Sequence, residues 1–333
     1  MYAKRNYGFW MTINWSKKPF IYGLIYSGIV TIMYILFKKN FDIHLSLPWQ
    51  PVSTLGVAVA FYLGFKNNAS YDRTWEARKI WGAIVNNSRS FGAAITQYLK
   101  GNEKEALHKE FIYRHIAWLT ALRYQLRLAR DWEHVEDRLE KLYSANVSSD
   151  YYKRLDKDIL GFIAEMECEL YKNASNIATQ ILLTQTRRLE EEYTKGNIDL
   201  FKQLEIQKLI NSFYDEQGKS ERIKNFPFPR QYASTALWMT LIFALLMPFG
   251  MLDIMTGFDV NRLWMTIPLT AMTIWMFFLM EMIGDYSENP FEGSYNDVPI
   301  TAIARTIEID LREMIRDENI PKPIGPDEMG FLL

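Results

Sequence analysis

Few residues in this chain are spaced for covalent or metal chemistry. The four histidines, at 44, 108, 115 and 134, are scattered. Only His108 and His115 come near each other, and a seven-residue spacing makes neither a zinc site nor a catalytic triad. His115 reads instead as a buried, hydrogen-bonded histidine. Cys168 is the single cysteine, which excludes an internal disulfide framework and any multi-cysteine metal centre. No glycine-rich phosphate loop, G-x-S-x-G elbow or H-E-x-x-H helix is present. The acidic stretches 133–140 and 190–192 read as solvated helix faces. The expectation is a protein that is not an enzyme, with no catalytic residues and no cofactor.

The physical chemistry that the sequence does offer is desolvation. Gly56, Ala60 and Gly64 recur every four residues, and so do Val57, Phe61 and Phe65. Positions i, i+4 and i+8 share a helix face, so a small stripe lies beside a bulky apolar one. Small-xxx-small stripes allow close helix packing in a membrane. Around an axis shared by several copies, Val57, Phe61 and Phe65 would make three stacked apolar rings spanning about 12 Å. Such a constriction blocks ions when it dewets and passes them when it widens. Spacing alone fits a stripe facing lipid or a partner helix equally well.

The elements that must hold this stripe follow from where the apolar residues lie. The chain has 333 residues, 49% of them hydrophobic, with a formal charge of −1 and a mean hydropathy of −0.15. That average hides four charge-free stretches, at 19–37, 45–65, 231–252 and 263–280. Each is close to the roughly 20 residues a helix needs to cross a bilayer. They pair into two helical hairpins. The first eighteen residues lack a small-residue cleavage pattern, so the first apolar run is expected to remain in the mature protein. Lys4, Arg5, Lys17, Lys18, Lys66, Arg73, Arg78, Lys79, Lys219, Arg222, Lys224 and Arg230 flank the spans on one side, against Lys38, Lys39 and Arg262 in the outer turns. This bias predicts that both termini and the middle segment are cytoplasmic; the expected location is the cell inner membrane. The near-neutral charge excludes the basic excess of a nucleic-acid binder.

Between Pro51 and Pro227 there is no proline. The spacing predicts a helix over 66–100 that continues the second span, then helices over 104–141, 149–194 and 198–217. Linkers are expected near 145–149 and 226–230. Pro299 opens an amphipathic helix carrying Ile300, Ile303, Ile307, Leu311 and Met314/Ile315, and the proline-rich 320–326 reads as an extended arm expected to dock on another subunit or on the helical body, with a free, flexible tail as the alternative. Tyr71, Trp75, Arg73 and Arg78 are expected to anchor the interface, the arginines pairing with acids such as Asp72, Glu76, Glu281 or Asp285. The fold class is therefore an all-α membrane protein with four transmembrane helices and a large cytoplasmic helical body. Its expected segments are a first hairpin in 1–66, the cytoplasmic domain in 67–230, a second hairpin in 231–283, and a C-terminal helix and arm in 284–333.

Leu63-Gly64-Phe65, followed by Asn67 to Gly82 and extended by Val85-Asn86-Asn87-Ser88-Arg89, resembles the hallmark of the bestrophin family. Glu288-Asn289-Pro290-Phe291 and Asn296-Asp297-Val298-Pro299-Ile300 resemble the family's segment after the last span. The likeness covers essentially the whole chain. It implies a homopentameric channel for monovalent ions, set in membrane lipid, with one axial pore. By position it maps Val57, Phe61 and Phe65 onto the family's pore neck. It places the cytosolic aperture near Ser175–Thr179, at Ile177 with Ile181 as the fallback, although the family's usual aperture proline is missing. Animal members hold calcium near the Asn-Pro-Phe segment. Here most of the acids are absent, which leaves Asn289 and Asp297 as poor candidates and calcium activation unexpected. Prokaryotic members favour cations and animal members anions, so the likeness leans to cations. A chloride channel of the same architecture and a non-conducting membrane scaffold are the alternatives.

Overall fold

The computed structural model describes residues 1–101, 103–134, 155–171, 174–256, 260–294, 297–327 and 330–332. Among these, every regular element is helical: α1 (Phe9–Phe41), α2 (Trp49–Tyr98), α3 (Lys104–Arg127), α4 (Leu155–Leu160), α5 (Glu165–Tyr171), α6 (Ile177–Thr194), α7 (Leu200–Asn225), α8 (Arg230–Thr256), a 3-10 turn (Val260–Met265), α9 (Thr266–Asp285) and α10 (Ile300–Met314). An isolated antiparallel bridge joins Tyr2 to Phe331.

Three segments are long and apolar enough to cross a membrane: Phe9–Phe41, Arg230–Thr256 and Arg262–Asp285. The fourth predicted span forms the first part of α2 and is not among them. Gln50, Ser53, Thr54, Gly56 and Gly64 dilute its apolar residues. Helix α1 begins ten residues before the predicted start and carries Pro19 inside it, as α8 carries Pro248. Membrane helices tolerate such prolines because neighbouring groups and local adjustment satisfy the freed carbonyl.

Helix α2 is one continuous element of 50 residues, joining the predicted span to the predicted helix at 66–100. Elsewhere the predicted helices are too long. Helix α3 ends at Arg127, and 135–141 lies outside the described residues. The helix predicted over 149–194 is three, α4 to α6, and its first six positions are likewise not described. It breaks around Gly161, and again before Asn176, whose Oδ1 accepts the Thr179 N–H at 3.0 Å and starts a new helix. Helix α7 runs past 217 and stops ahead of Pro227. The 226–230 linker is non-helical up to α8, while 145–149 is not described.

The chain divides into two compact units. One comprises Met1–Ala3, Arg73–Pro227 and Asn289–Leu333, the other Lys4–Asp72 and Phe228–Glu288. The first unit has a broad apolar core that includes Trp81, Phe91, Phe111, Trp118 and Phe213. Each such side chain is worth roughly 1.5–3 kcal/mol on burial. Helix α10 is amphipathic as predicted: Ile300, Ile307 and Leu311 are buried, with Ile303 and Ile315 packed beside them. Gly92 makes room for it, because a Cβ there would stand 2.6 Å from Leu311 and from Met314. The arm at 320–326 is non-helical, with Ile320 and Ile324 exposed. Beyond it the chain pairs with the N-terminus through Leu332 N–H to Met1 O at 2.8 Å.

In the second unit, α1 lies along α9, and α9 along α8. Their contacts use small and hydroxylated residues. A Cβ on Gly23 would meet the Ala271 backbone at 3.1 Å. Ser27 Oγ donates to Gly23 O and lies 3.2 Å from Ile267 O, and Trp275 Nε1 donates to Ser16 Oγ at 2.8 Å. Without a hydrophobic drive between helices in lipid, close approach and such bonds supply the association.

Candidate pore-lining site

One face of α2 packs within its own unit. Val52, Gly56, Val59, Leu63, Lys66 and Ser70 are buried along it. Val52, Val59 and Leu63 join Phe243, Met247 and Met251 of α8 and Phe277 of α9 in one apolar cluster. Gly56 sits against the Phe243 ring, 2.7 Å from where a Cβ would be, and Val52 fills the space beside Gly250. Of the predicted small stripe, Gly56 serves this contact and Ala60 lies at its margin. Gly64 does not, because it is exposed and a Cβ there would meet nothing within 4 Å. The packing face follows i, i+3/i+4 spacing and drifts off a strict four-residue stripe, since 3.6 residues make a turn.

The bulky stripe stands on the other side. Val57, Phe61 and Phe65 are 58%, 67% and 63% exposed on the protomer. At about 100° per residue their mean direction is about 180° from that of the buried face. Large apolar side chains turned squarely away from their own core require another apolar or confined surrounding.

Directly after Phe65 the helix reverses character. Lys66 is buried and its Nζ donates to Glu281 Oε1 of α9 at 2.9 Å. Asn67 Nδ2 donates to Met280 O at 3.1 Å. Gly284 is required beside it, since a Cβ would fall 2.1 Å from Asn67 Oδ1. The end of the apolar stripe is thus pinned to α9 by a buried ion pair and an amide. Asp72, Glu76, Glu281 and Asp285 are the acids expected to pair with Arg73 and Arg78. Arg73 instead donates to the backbone carbonyls of Ile223, at 2.7 Å, and of Phe226, at the C-terminal end of α7. Arg78 lies over the Trp75 ring, 5.9 Å from its centroid, and Glu76 pairs with Arg222 at 2.7 Å.

The aperture candidates separate. Ile177 is the first residue of α6, half-buried at the edge of the core. Ile181, one turn later, is fully buried within that core. Asp297, the weak calcium candidate, is held by protein groups. Its Oδ1 accepts N–H bonds from Phe291 and Val298, and its Oδ2 accepts from Gly293 and from the Arg127 guanidinium at 2.6 Å. Both oxygens are engaged by the backbone of Phe291, Gly293 and Val298 and by Arg127. Asn289 is buried beside Trp132, its amide 3.5 Å from that carbonyl.

The body also pairs ionic groups out of solvent, among them Glu133 and Glu192 from the stretches expected to be solvated helix faces. Glu133 is buried against Lys224 at 2.5 Å, where desolvation raises the carboxyl and lowers the ammonium. Glu192 is buried and takes Lys195 and Asn197. Arg114 bridges Glu110 and Glu167, and Arg188 also reaches Glu110. Arg114–Glu110 and Lys195–Glu192 follow the local i, i+4 and i, i+3 spacings, whereas Arg114–Glu167, Arg188–Glu110 and Lys224–Glu133 join residues distant in sequence and no local pattern announces them. His115 is buried as expected, with Nε2 2.9 Å from Ser88 Oγ among Phe91, Trp118 and Phe213. Burial lowers its pKa to about 3, so the ring stays neutral.

Apolar membrane-type helices, an outward aromatic stripe and a separate helical body define a membrane protein built on α-helices. Residues 18–313 match the family described as Bacterial/Fungal Bestrophin protein, and the chain belongs to that family. It is 28% identical over 325 residues to the voltage-dependent anion channel-forming protein YneE of Escherichia coli K12, covering 94% of this chain and 96% of that one. A Nostoc protein with the same channel-forming description, alr2987, is 26% identical over 314 residues, covering 92% of this chain and 91% of its own. The fold matches the crystal structure of a bacterial bestrophin homolog from Klebsiella pneumoniae with a TM-score of 0.76 at 22% identity, over 90% of this chain and 98% of that one. These relatives are named for channel formation or family, not for catalysis.

Proposed function

We propose that this chain is the protomer of a homopentameric ion channel of the cell inner membrane, with the α2 stripe as the narrowest part of its pore. The observation that carries the reading is the outward stand of Val57, Phe61 and Phe65, opposite the face that α2 packs at home. The polar and small residues of the same segment suit a helix ringed by protein better than one bathed in lipid. In this reading α2 supplies the fourth span, and both termini and the helical body are cytoplasmic. Monovalent ions shed part of their hydration at the three apolar rings and leave past Ile177. The rings hold the pathway shut by dewetting until it widens.

The neck side chains carry no sign. The cation preference expected from kinship gains no support from the relatives, whose printed names favour the anion alternative. Flux across liposomes holding the purified protein tests the reading, with reversal potentials taken in asymmetric NaCl. Phe61→Ala removes the middle barrier and is expected to raise flux by about tenfold or more. Unchanged flux in Phe61→Ala would falsify the neck assignment, and no flux in any variant would leave the membrane scaffold. A detergent-corrected mass other than five protomers would sink the pentamer.

A further inference from the structure

We propose that Asp72 sets which sign of charge passes the mouth of the neck, acting as a specificity-determining residue for permeating monovalent ions. The inference rests on the pore-facing reading of the α2 stripe, and it does not depend on which ion dominates the native conductance.

Asp72 lies seven residues after Phe65 on the same unbroken helix. At about 100° and 1.5 Å per residue, it points within about 20° of both Phe65 and Phe61 and sits about 10 Å further along. It is exposed, and so is Asn68 on the same face. Asp72 is therefore the first charged side chain that a stripe-following path meets after the aromatic rings. Among the described residues its carboxylate has no ion-pair partner. The basic residues at 66, 73 and 78 are engaged elsewhere, and the exposed Lys79 lies about two helical turns further along. Lys66 is turned to the buried face and bound to Glu281, Arg73 donates to the Ile223 and Phe226 carbonyls, and Arg78 lies on the Trp75 ring.

The Asp72 carboxylate is exposed on the face that continues the stripe. Repeated by each copy around the axis, it forms a ring of negative charge at the end of a low-dielectric constriction. There field lines are focused and a bare or half-hydrated ion feels them most. Such a ring raises the local concentration of cations and repels anions. The same carboxylate on a flank away from the path would be an ordinary solvated surface group without effect on permeation.

The test is the reversal potential of the full-length protein in liposomes under asymmetric NaCl, for wild type, Asp72→Asn, Asp72→Lys and, as the pathway control, Phe61→Ala. Asp72→Asn is expected to raise the chloride-to-sodium permeability ratio by about threefold or more, and Asp72→Lys to raise it further. A second arm uses Asp72→Cys. A cationic methanethiosulfonate reagent should shift the ratio towards chloride and an anionic one back towards sodium, while the wild type, whose Cys168 is buried, stays unmoved. If Phe61→Ala changes flux but no substitution or modification at 72 moves the ratio, the assignment of Asp72 is overturned and the channel reading stands. If Phe61→Ala leaves flux unchanged as well, the pore-facing stripe is wrong and this inference falls with it.

Discussion

The two units of this chain solve opposite solvation problems with the same kind of helix. In the unit of residues 73–227 and 289–333, apolar periodicity points inward: Phe111, Trp118 and Phe213 are buried, and the charges that share their core, such as Arg127 with Asp297, are paired. In the unit of residues 4–72 and 228–288, Ile25, Ile29, Trp238, Leu245 and Met272 are exposed, while Ser27, Thr31, Thr240 and Thr270 are buried. Large apolar side chains face out and small hydroxylated ones face in. Hydrophobic spacing therefore reports a core only where water is the solvent. In lipid the core is chosen by how closely two backbones approach.

The comparison can be broken at single residues. Lys66→Met leaves Glu281 buried without its ammonium in the membrane unit. The expected cost is about 3–5 kcal/mol, read as a lower thermal midpoint of the detergent-solubilised protein. A midpoint equal to wild type would mean that this pair does not hold α2 to α9.

In the body the sharpest probe is His115, whose pKa is held at about 3 by burial. With an unfolded value near 6.5, stability from the neutral ring is complete above about pH 6.5 and is lost as the pH falls from there towards 3. One proton gives a slope of about 1.4 kcal/mol per pH unit. Denaturant midpoints should drop across that window in wild type and drop less in His115→Gln. Equal pH slopes in the two proteins would show that the imidazole is hydrated.

The smallest expected effect is at Glu76→Gln, which removes an ion pair to Arg222 whose side chains are 45% and 66% exposed. Solvent screening limits it to about 0.5 kcal/mol, to be seen in the same denaturant titration and to vanish in high salt. A larger loss would place that pair in a confined environment rather than in water.

Much of the architecture was legible because it depends on composition over long windows. Of four charge-free runs read as spans, three coincide with helices long and apolar enough to cross a membrane, and the absence of proline from 52 to 226 marked a helical body. The isoleucines after Pro299 marked the inward face of α10. Helix ends were read less well. Asn176 caps a helix inside what reads as a longer one, a contest between a side-chain oxygen and the backbone that lasts a single residue. At the site, the outward stripe was visible as spacing. That Ile181 is core, that Gly64 is open, and that Asp297 is saturated depended on neighbours distant in sequence.

By itself the sequence determined the family through its Gly-Phe-Lys-Asn-Asn-Ala-Ser-Tyr-Asp-Arg run, and the solvent each segment requires, because transfer free energy is a property of side chains summed along the chain. Only the tertiary structure decided which side of α2 is spent on α8 and α9, and hence which residues remain to face something else. It also decided which charges are buried in pairs, as Lys66 is with Glu281, and which, as at Asp72, are left to act outward. Coulomb energy and packing depend on distances between atoms, and the folded backbone sets those distances.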